Sequence, residues 1–427
     1  MTKAASVAAY PAARKDSLAF ILFAGGAAFS AYFAMYAFRK PFTAATYADV
    51  GGWTSVIDFK VALVIAQLVG YALSKFIGVK VVSEMSAARR GVAIIGLIGL
   101  SWIALVMFAV LPVPAKPVAM FLNGLPLGMI WGLVFAYIEG RRSSEVLASI
   151  LCASFILSSG LVKSVGAWLM ASWQVGEMWM PAMTGLLFMP VLLLSVLGLS
   201  SLPPPSAEDI AERVARPPVD AAGRRRFLHA YGPGVTLLVL AYILFTVIRD
   251  FRDNFAAEIW ESLGYGKSSA IFTASEVPIA IVTLVILASL VAIRDNRRAL
   301  IAIHLIVLAG AALIGLSTLA FSLGWLGPVG WMIASGLGLY LAYTPFNAML
   351  FDRLVAASGR AGTAAFLIYI ADAAGYAGSV TLLLLRNLPG VSLDWLTFYI
   401  ALALAGAAAS IMLMMASILQ FRGIFKR

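Results

Sequence analysis

Long apolar runs separated by short polar breaks set the pattern of this chain. Twelve runs can be marked, at 18–42, 60–82, 91–112, 117–138, 146–172, 179–201, 231–256, 268–293, 299–322, 326–350, 362–386 and 395–420. A helix rising about 1.5 Å per residue crosses a hydrocarbon core of about 30 Å in about 20 residues, so runs of this length predict transmembrane helices. A membrane barrel would show ten-residue alternation instead. One polar break is long. Residues 201–230 carry Pro203-Pro204-Pro205, mixed charge from Glu208 to Arg216, Pro217-Pro218 and Arg224-Arg225-Arg226, and read as a linker with room for one short amphipathic helix. It separates an N-terminal unit, 1–200, from a C-terminal unit, 231–427, with six spans in each. The predicted fold is an all-α membrane protein of twelve transmembrane helices in two pseudo-symmetric six-helix bundles.

Composition agrees: 62% of residues are hydrophobic and 12% charged, whereas soluble domains carry about a quarter charged residues. The run starting at Leu18 is followed by no small-residue cleavage site and reads as a retained first span. A net charge of +11 would suggest nucleic acid in a soluble protein. Here its distribution matters more. With the N-terminus in the cytoplasm, the outer loops hold only Lys116, Lys267 and Arg386 of the 31 lysines and arginines. That bias places both termini in the cytoplasm of a bacterial-type inner membrane and accounts for the basic balance without nucleic acid. Lone Cys152 excludes an intrachain disulfide. There is no phosphate-cradling loop, nucleotide fingerprint, metal-ligand spacing or nucleophile-and-base pair, so neither an enzyme nor a cofactor is expected. His229 and His304 read as loop or helix-edge residues.

A short motif occurs twice. Phe38-Arg39-Lys40-Pro41-Phe42-Thr43-Ala44 and Phe251-Arg252-Asp253-Asn254-Phe255-Ala256-Ala257 both read F-R-x-x-F-x-A, 213 residues apart. Gly124-Leu125-Pro126-Leu127-Gly128 answers Gly336-Leu337-Gly338-Leu339-Tyr340 at an offset of 212, and Glu139 answers Asp352 at 213. A shared offset in corresponding spans favours a six-plus-six duplication. An arginine within a bilayer costs about 2.5 kcal/mol or more, so two at matched positions point to a binding site between the halves unless both snorkel to headgroups.

Anion transfer needs charge offset by planar, paired donors, and Arg39 and Arg252 are the first candidates. Tyr32, Tyr36 and Arg39 share a helix face, with Lys40 turned about 100° away toward headgroups or a structural acid. Arg249, Asp250, Arg252 and Asp253 crowd the seventh span; ion pairing inside that helix, with Arg249 the favoured member, is expected to leave about one free cation. Lys163, deep in span five with no acid within a turn, is a third candidate anion ligand. Asp372, near the middle of span eleven with Tyr369 and Tyr376 on its face, reads either as a protonatable coupling site or as the partner of Lys163. Glu276 carries the same pair of readings. Trp131 either stacks on substrate or packs in the core.

Two halves of six spans resemble the layout of the major facilitator superfamily. Within it, Tyr36-Ala37-Phe38-Arg39-Lys40-Pro41-Phe42 is similar to the first-helix motif of the organophosphate:phosphate antiporter branch. Tyr71-Ala72-Leu73-Ser74-Lys75-Phe76 resembles its second helix, Lys267-Ser268-Ser269 with Glu276 its seventh loop and eighth helix, and Gly362-Thr363-Ala364-Ala365 with Gly375-Tyr376 its eleventh. The loop Ser83-Glu84-Met85 departs from the superfamily's Asp-Arg pattern, and span five offers Lys163 where the antiporters have histidine. The resemblance implies a monomeric secondary transporter that exchanges a small phosphorylated anion against phosphate by alternating access, its site between spans one, five, seven and eleven. The added acids make a proton an alternative coupling partner. A carrier of another organic anion or lysolipid, and a transporter-like membrane receptor, are the other readings.

Overall fold

Every predicted run is helical. The computed structural model describes residues 17–141, 143–204, 209, 221–358, 364–388 and 393–425; the N-terminal tail, most of the candidate linker and Gly362-Thr363 lie outside the described residues. The helices are Leu18–Tyr36, Phe59–Glu84, Ala87–Val110, Lys116–Leu127 continued by Ile130–Ile138, Ser144–Trp173, Met180–Ser200, Ala221–Asn254, Ile271–Val291, Asn296–Ser322, Pro328–Pro345, Ala364–Arg386 and Trp395–Gln420. No strand occurs among the described residues. Eleven of these passages are long and apolar enough to cross a membrane, so the chain is a multi-pass membrane protein. Span ten is the exception: it carries buried Ser335, Tyr340, Tyr343 and Thr344, and runs on through a π-helical turn, Phe346–Leu350, into Phe351–Ser358.

Local chemistry explains most helix ends. Ser17, Asp58, Asp295 and Asp394 each accept a backbone N–H from the first turn of the helix that follows, satisfying one of its orphan donors. The seventh helix begins at Ala221, ahead of the expected 231: Arg224, Arg225 and Arg226 favour helix, and the helix runs through Gly223 and Gly232. The first helix stops at Tyr36, short of the expected 42. Pro41 lacks the N–H that would bond back along the helix, and the chain passes through a tight turn into a 3-10 helix, Pro41–Ala44.

Within each half the helices pack mainly on one another, giving two six-helix bundles. The bundles meet where span five lies against span eight and span two against span eleven. Glycines set the closest approaches. A Cβ added at Gly124 would lie 2.3 Å from the Gln67 carbonyl oxygen, and one at Gly128 2.5 Å from that of Tyr71, so span four rests on the backbone of span two. Gly310 and Gly338 make a matching contact between spans nine and ten. Without a hydrophobic drive between helices in lipid, such small-residue contacts supply the packing. Gly124→Ala is expected to cost about 1–3 kcal/mol, since the clash is with backbone that cannot rotate away. Thermal unfolding in detergent reads this out, and an unchanged midpoint would mean the two spans part freely.

Candidate functional site

The break after Tyr36 turns Arg39 and Lys40 in different directions. Its backbone is pinned from neighbouring helices: the Gln67 amide donates to the Arg39 carbonyl at 2.9 Å, and the Asn123 amide to the Phe38 carbonyl at 2.9 Å. Arg39 is 7% exposed, and its guanidinium carbon lies over the Tyr71 ring, 3.7 Å from the centroid, with the Tyr36 centroid at 5.9 Å. Among the described residues no carboxylate bridges it, and its Nε has no hydrogen-bond partner. Tyr32 packs edge-on to both Tyr36 and Trp131, which places Trp131 in the wall behind the tyrosines. Across the interface Tyr376 faces Tyr71, ring centroids 5.9 Å apart.

Arg249 and Arg252 of the seventh helix are both paired, so the one free cation expected there is not left. Arg249 holds Asp250 at 2.7 Å and lies over the Tyr343 ring at 4.1 Å, while Asp250 also accepts the Ser379 hydroxyl at 2.7 Å. Arg252, Arg39's counterpart in the repeated motif, instead turns into its own half: it binds Glu276 at 2.6 Å and donates to the Met332 carbonyl at 3.0 Å. Glu276 is thus paired with Arg252 within the second half and not with Lys163. Tyr36 sits within electrostatic reach of both Arg39 and Arg249, one arginine from each half.

Asp253 does not pair within its helix. It takes Lys40 at 2.5 Å, Lys163 at 2.6 Å and the Ser159 hydroxyl, all from the first half. Lys40 also donates to Asn254 at 2.9 Å, so the two copies of the repeated motif touch each other. The expected Lys163–Asp372 pair is not formed. Lys163 and Asp372 sit in separate cross-half pairs, because Lys75 of span two reaches Asp372 at 2.5 Å and Asp253 of span seven reaches Lys163. Tyr242 donates to the other Asp372 oxygen at 2.5 Å and is itself tied to Tyr343 and Asn347. Of the two tyrosines expected beside Asp372, Tyr376 is buried and Tyr369 is 42% exposed on the outer surface. His304, expected at an edge, is buried in span nine against the Leu300 carbonyl.

Lys60, Tyr242, Tyr343 and Glu258 are not among the residues that the sequence singles out, and Tyr71 and Lys75 enter there only through the second-helix resemblance. Lys60 bridges to Glu258 at 2.6 Å, again from first half to second, and also donates to the Thr43 carbonyl. The signal for Lys75 was present: a lysine inside an apolar run, four residues after a tyrosine, meets the same criteria that singled out Arg39 behind Tyr32 and Tyr36. Together these groups can hold an anion at Arg39 between tyrosine walls. The cross-half ion pairs can fasten the bundles around it.

A model for proteins described as a family of unknown function, DUF5690, matches residues 41–423. The chain belongs to this family. Solved structures similar to this DUF5690 chain include the peptide transporter POT in complex with sulfate, at 18% identity with a TM-score of 0.61, covering 95% of each chain. The nucleoside transporter NupG matches at 14% identity and a TM-score of 0.61, covering 94% of this chain and 99% of that one. A D-xylose–proton symporter matches at 16% identity and 0.61, covering 94% and 96%. At such identities the likeness is one of fold, and the DUF5690 chain has the major facilitator architecture. No curated protein matches it in sequence.

Proposed function

We propose that this DUF5690 protein is a secondary transporter that carries a small anionic metabolite, with phosphorylated compounds the preferred class, by alternating access. The two bundles, 1–200 and 231–427, are the rocking units and 201–230 joins them. One observation carries the reading: Arg39, its backbone carbonyl held by Gln67, presents a buried guanidinium at the interface between the halves that no carboxylate bridges among the described residues. A cation denied both water and a counter-ion is costly unless a ligand supplies the charge. Its bare edge and the tyrosine hydroxyls around it suit a carboxylate or phosphoryl group.

The end of the molecule poor in lysine and arginine is the outer end in this proposal. It is closed by Lys40 and Lys163 on Asp253, by Lys60 on Glu258, and by the Asp58 amide on Asn387. Likeness to transporters of peptides, nucleosides and a sugar supports carriage of a small molecule and leaves its identity to the site. Thermal stabilisation of the purified protein by phosphate, glycerol phosphate, sugar phosphates, carboxylates and lysolipids tests the reading, because a ligand that binds the folded state raises its melting temperature. Phosphorylated compounds are expected to stabilise the protein and to lose that effect in Arg39→Ala. Stabilisation that survives in the variant would move the site elsewhere, and no stabilisation by any anion would sink the proposal.

A further inference from the structure

Asp372 is held by groups from both halves. One carboxylate oxygen meets Lys75 of span two at 2.5 Å, and the other accepts the Tyr242 hydroxyl of span seven at 2.5 Å. Lys75 in turn lies within reach of the Tyr71 ring at 5.6 Å and the Tyr376 ring at 5.1 Å. Tyr71 is the same ring that carries the Arg39 guanidinium. Two first-half cations thus share one aromatic plate, and they differ in one respect: among the described residues Arg39 has no anion, while Lys75 has the carboxylate of Asp372.

We propose that Asp372 occupies, in the empty carrier, the position of one anionic group of the substrate, and that the substrate is a dianion which displaces it from Lys75 to bridge Lys75 and Arg39. This deepens, and rests on, the reading of Arg39 as the anion site. Two features suit Asp372 to let go. Tyr242, fixed by Tyr343 and Asn347, still donates to the carboxylate after Lys75 leaves. The remaining loss of charge pairing is met by a proton from solution, which makes dianion binding and proton uptake one event. The titratable and charged groups facing Asp372 among the described residues are Lys75 and Tyr71 of span two, Tyr242 of span seven and Tyr343 of span ten, with Tyr376 a turn along its own helix. None of them is a second carboxylate, so Asp372 is the group that takes up the proton. A monoanion satisfies Arg39 alone and leaves the Lys75–Asp372 pair intact.

Calorimetric binding of glycerol phosphate, a dianion at about pH 8, and of glycerate, a monoanion of similar body, separates the two cases. Asp372→Asn keeps the shape and removes the competitor. It is expected to bind glycerol phosphate at least about tenfold more tightly than the parent protein does, the scale of one released charge pair, with little change for glycerate. Proton uptake on binding, obtained by repeating the titration in buffers of different ionisation enthalpy, is expected in the parent protein and absent in Asp372→Asn. Lys75→Gln gives an independent arm, expected to weaken glycerol phosphate about tenfold and glycerate less than about threefold. If Asp372→Asn binds glycerol phosphate no better than the parent, or Lys75→Gln weakens both ligands alike, while Arg39→Ala still abolishes binding, then Asp372 is no competitor and the Arg39 site stands. If neither ligand binds any of these proteins, both readings fall.

Discussion

Arg39→Met is expected to stabilise the empty protein while removing its affinity for anions. The guanidinium is buried, unbridged and only partly compensated by the Tyr71 face. Exchanging buried charges for an apolar side chain of similar volume is often stabilising by about 1–4 kcal/mol. Loss of the ring contact returns about 0.5–2 kcal/mol of that. Binding moves the other way. Removing one partner of a buried, charge-assisted contact costs about 2–5 kcal/mol, or a fall in affinity of about thirtyfold to several thousandfold. Melting temperatures with and without ligand, measured on both proteins, read the two effects separately. Arg39→Lys keeps the charge but not the paired donors and belongs between the two. A destabilised, ligand-responsive Arg39→Met would mean that this arginine serves the fold.

The largest loss of stability is expected from Asp253→Ala. Two lysines depend on this one carboxylate, with Lys40 and Lys163 side chains 6% and 3% exposed. Its removal leaves two buried ammonium groups close together with no counter-charge, where breaking even a single buried pair typically costs about 3–5 kcal/mol. The Asn254 side chain and the Asp253 backbone carbonyl still accept from Lys40 and Lys163, but neither carries charge. Thermal unfolding of Asp253→Ala, Lys163→Met and the double variant forms the test. The double variant is expected to regain part of the loss, since one of the stranded lysines is gone. Additive losses would show that the lysines do not depend on Asp253.

The twelve spans were readable because lipid imposes a length and a polarity that few other environments share. Helix ends were less so. The first run extends through Phe42, past Pro41 and past the helix end at Tyr36, and the start at Ala221 depended on helix-favouring arginines that also read as a linker's basic cluster. At the site, depth along a span could be estimated from residue count, but not the direction a side chain faces across an interface. That is why a Lys163–Asp372 pair stood as one of two readings of Asp372, where the partners are Asp253 for Lys163 and Lys75 for Asp372. The repeat drew attention to both motifs and then overstated their equivalence. Glu276 offers Arg252 a partner inside the second half, and the seventh-helix arginine that lies on a tyrosine as Arg39 does is Arg249.

Every ion pair that crosses the interface among the described residues has its lysine in the first half and its acid in the second: Lys40 and Lys163 with Asp253, Lys60 with Glu258, Lys75 with Asp372. The faces are thus charged like two members of an obligate heterodimer. Two copies of the first half set face to face would oppose lysine with lysine, and two copies of the second would oppose acid with acid, each a repulsion in a poorly solvated seam. The assignment therefore does more than hold a conformation. It favours the unlike half over a second copy of the same half, and the two halves, made as separate chains, are expected to associate by charge.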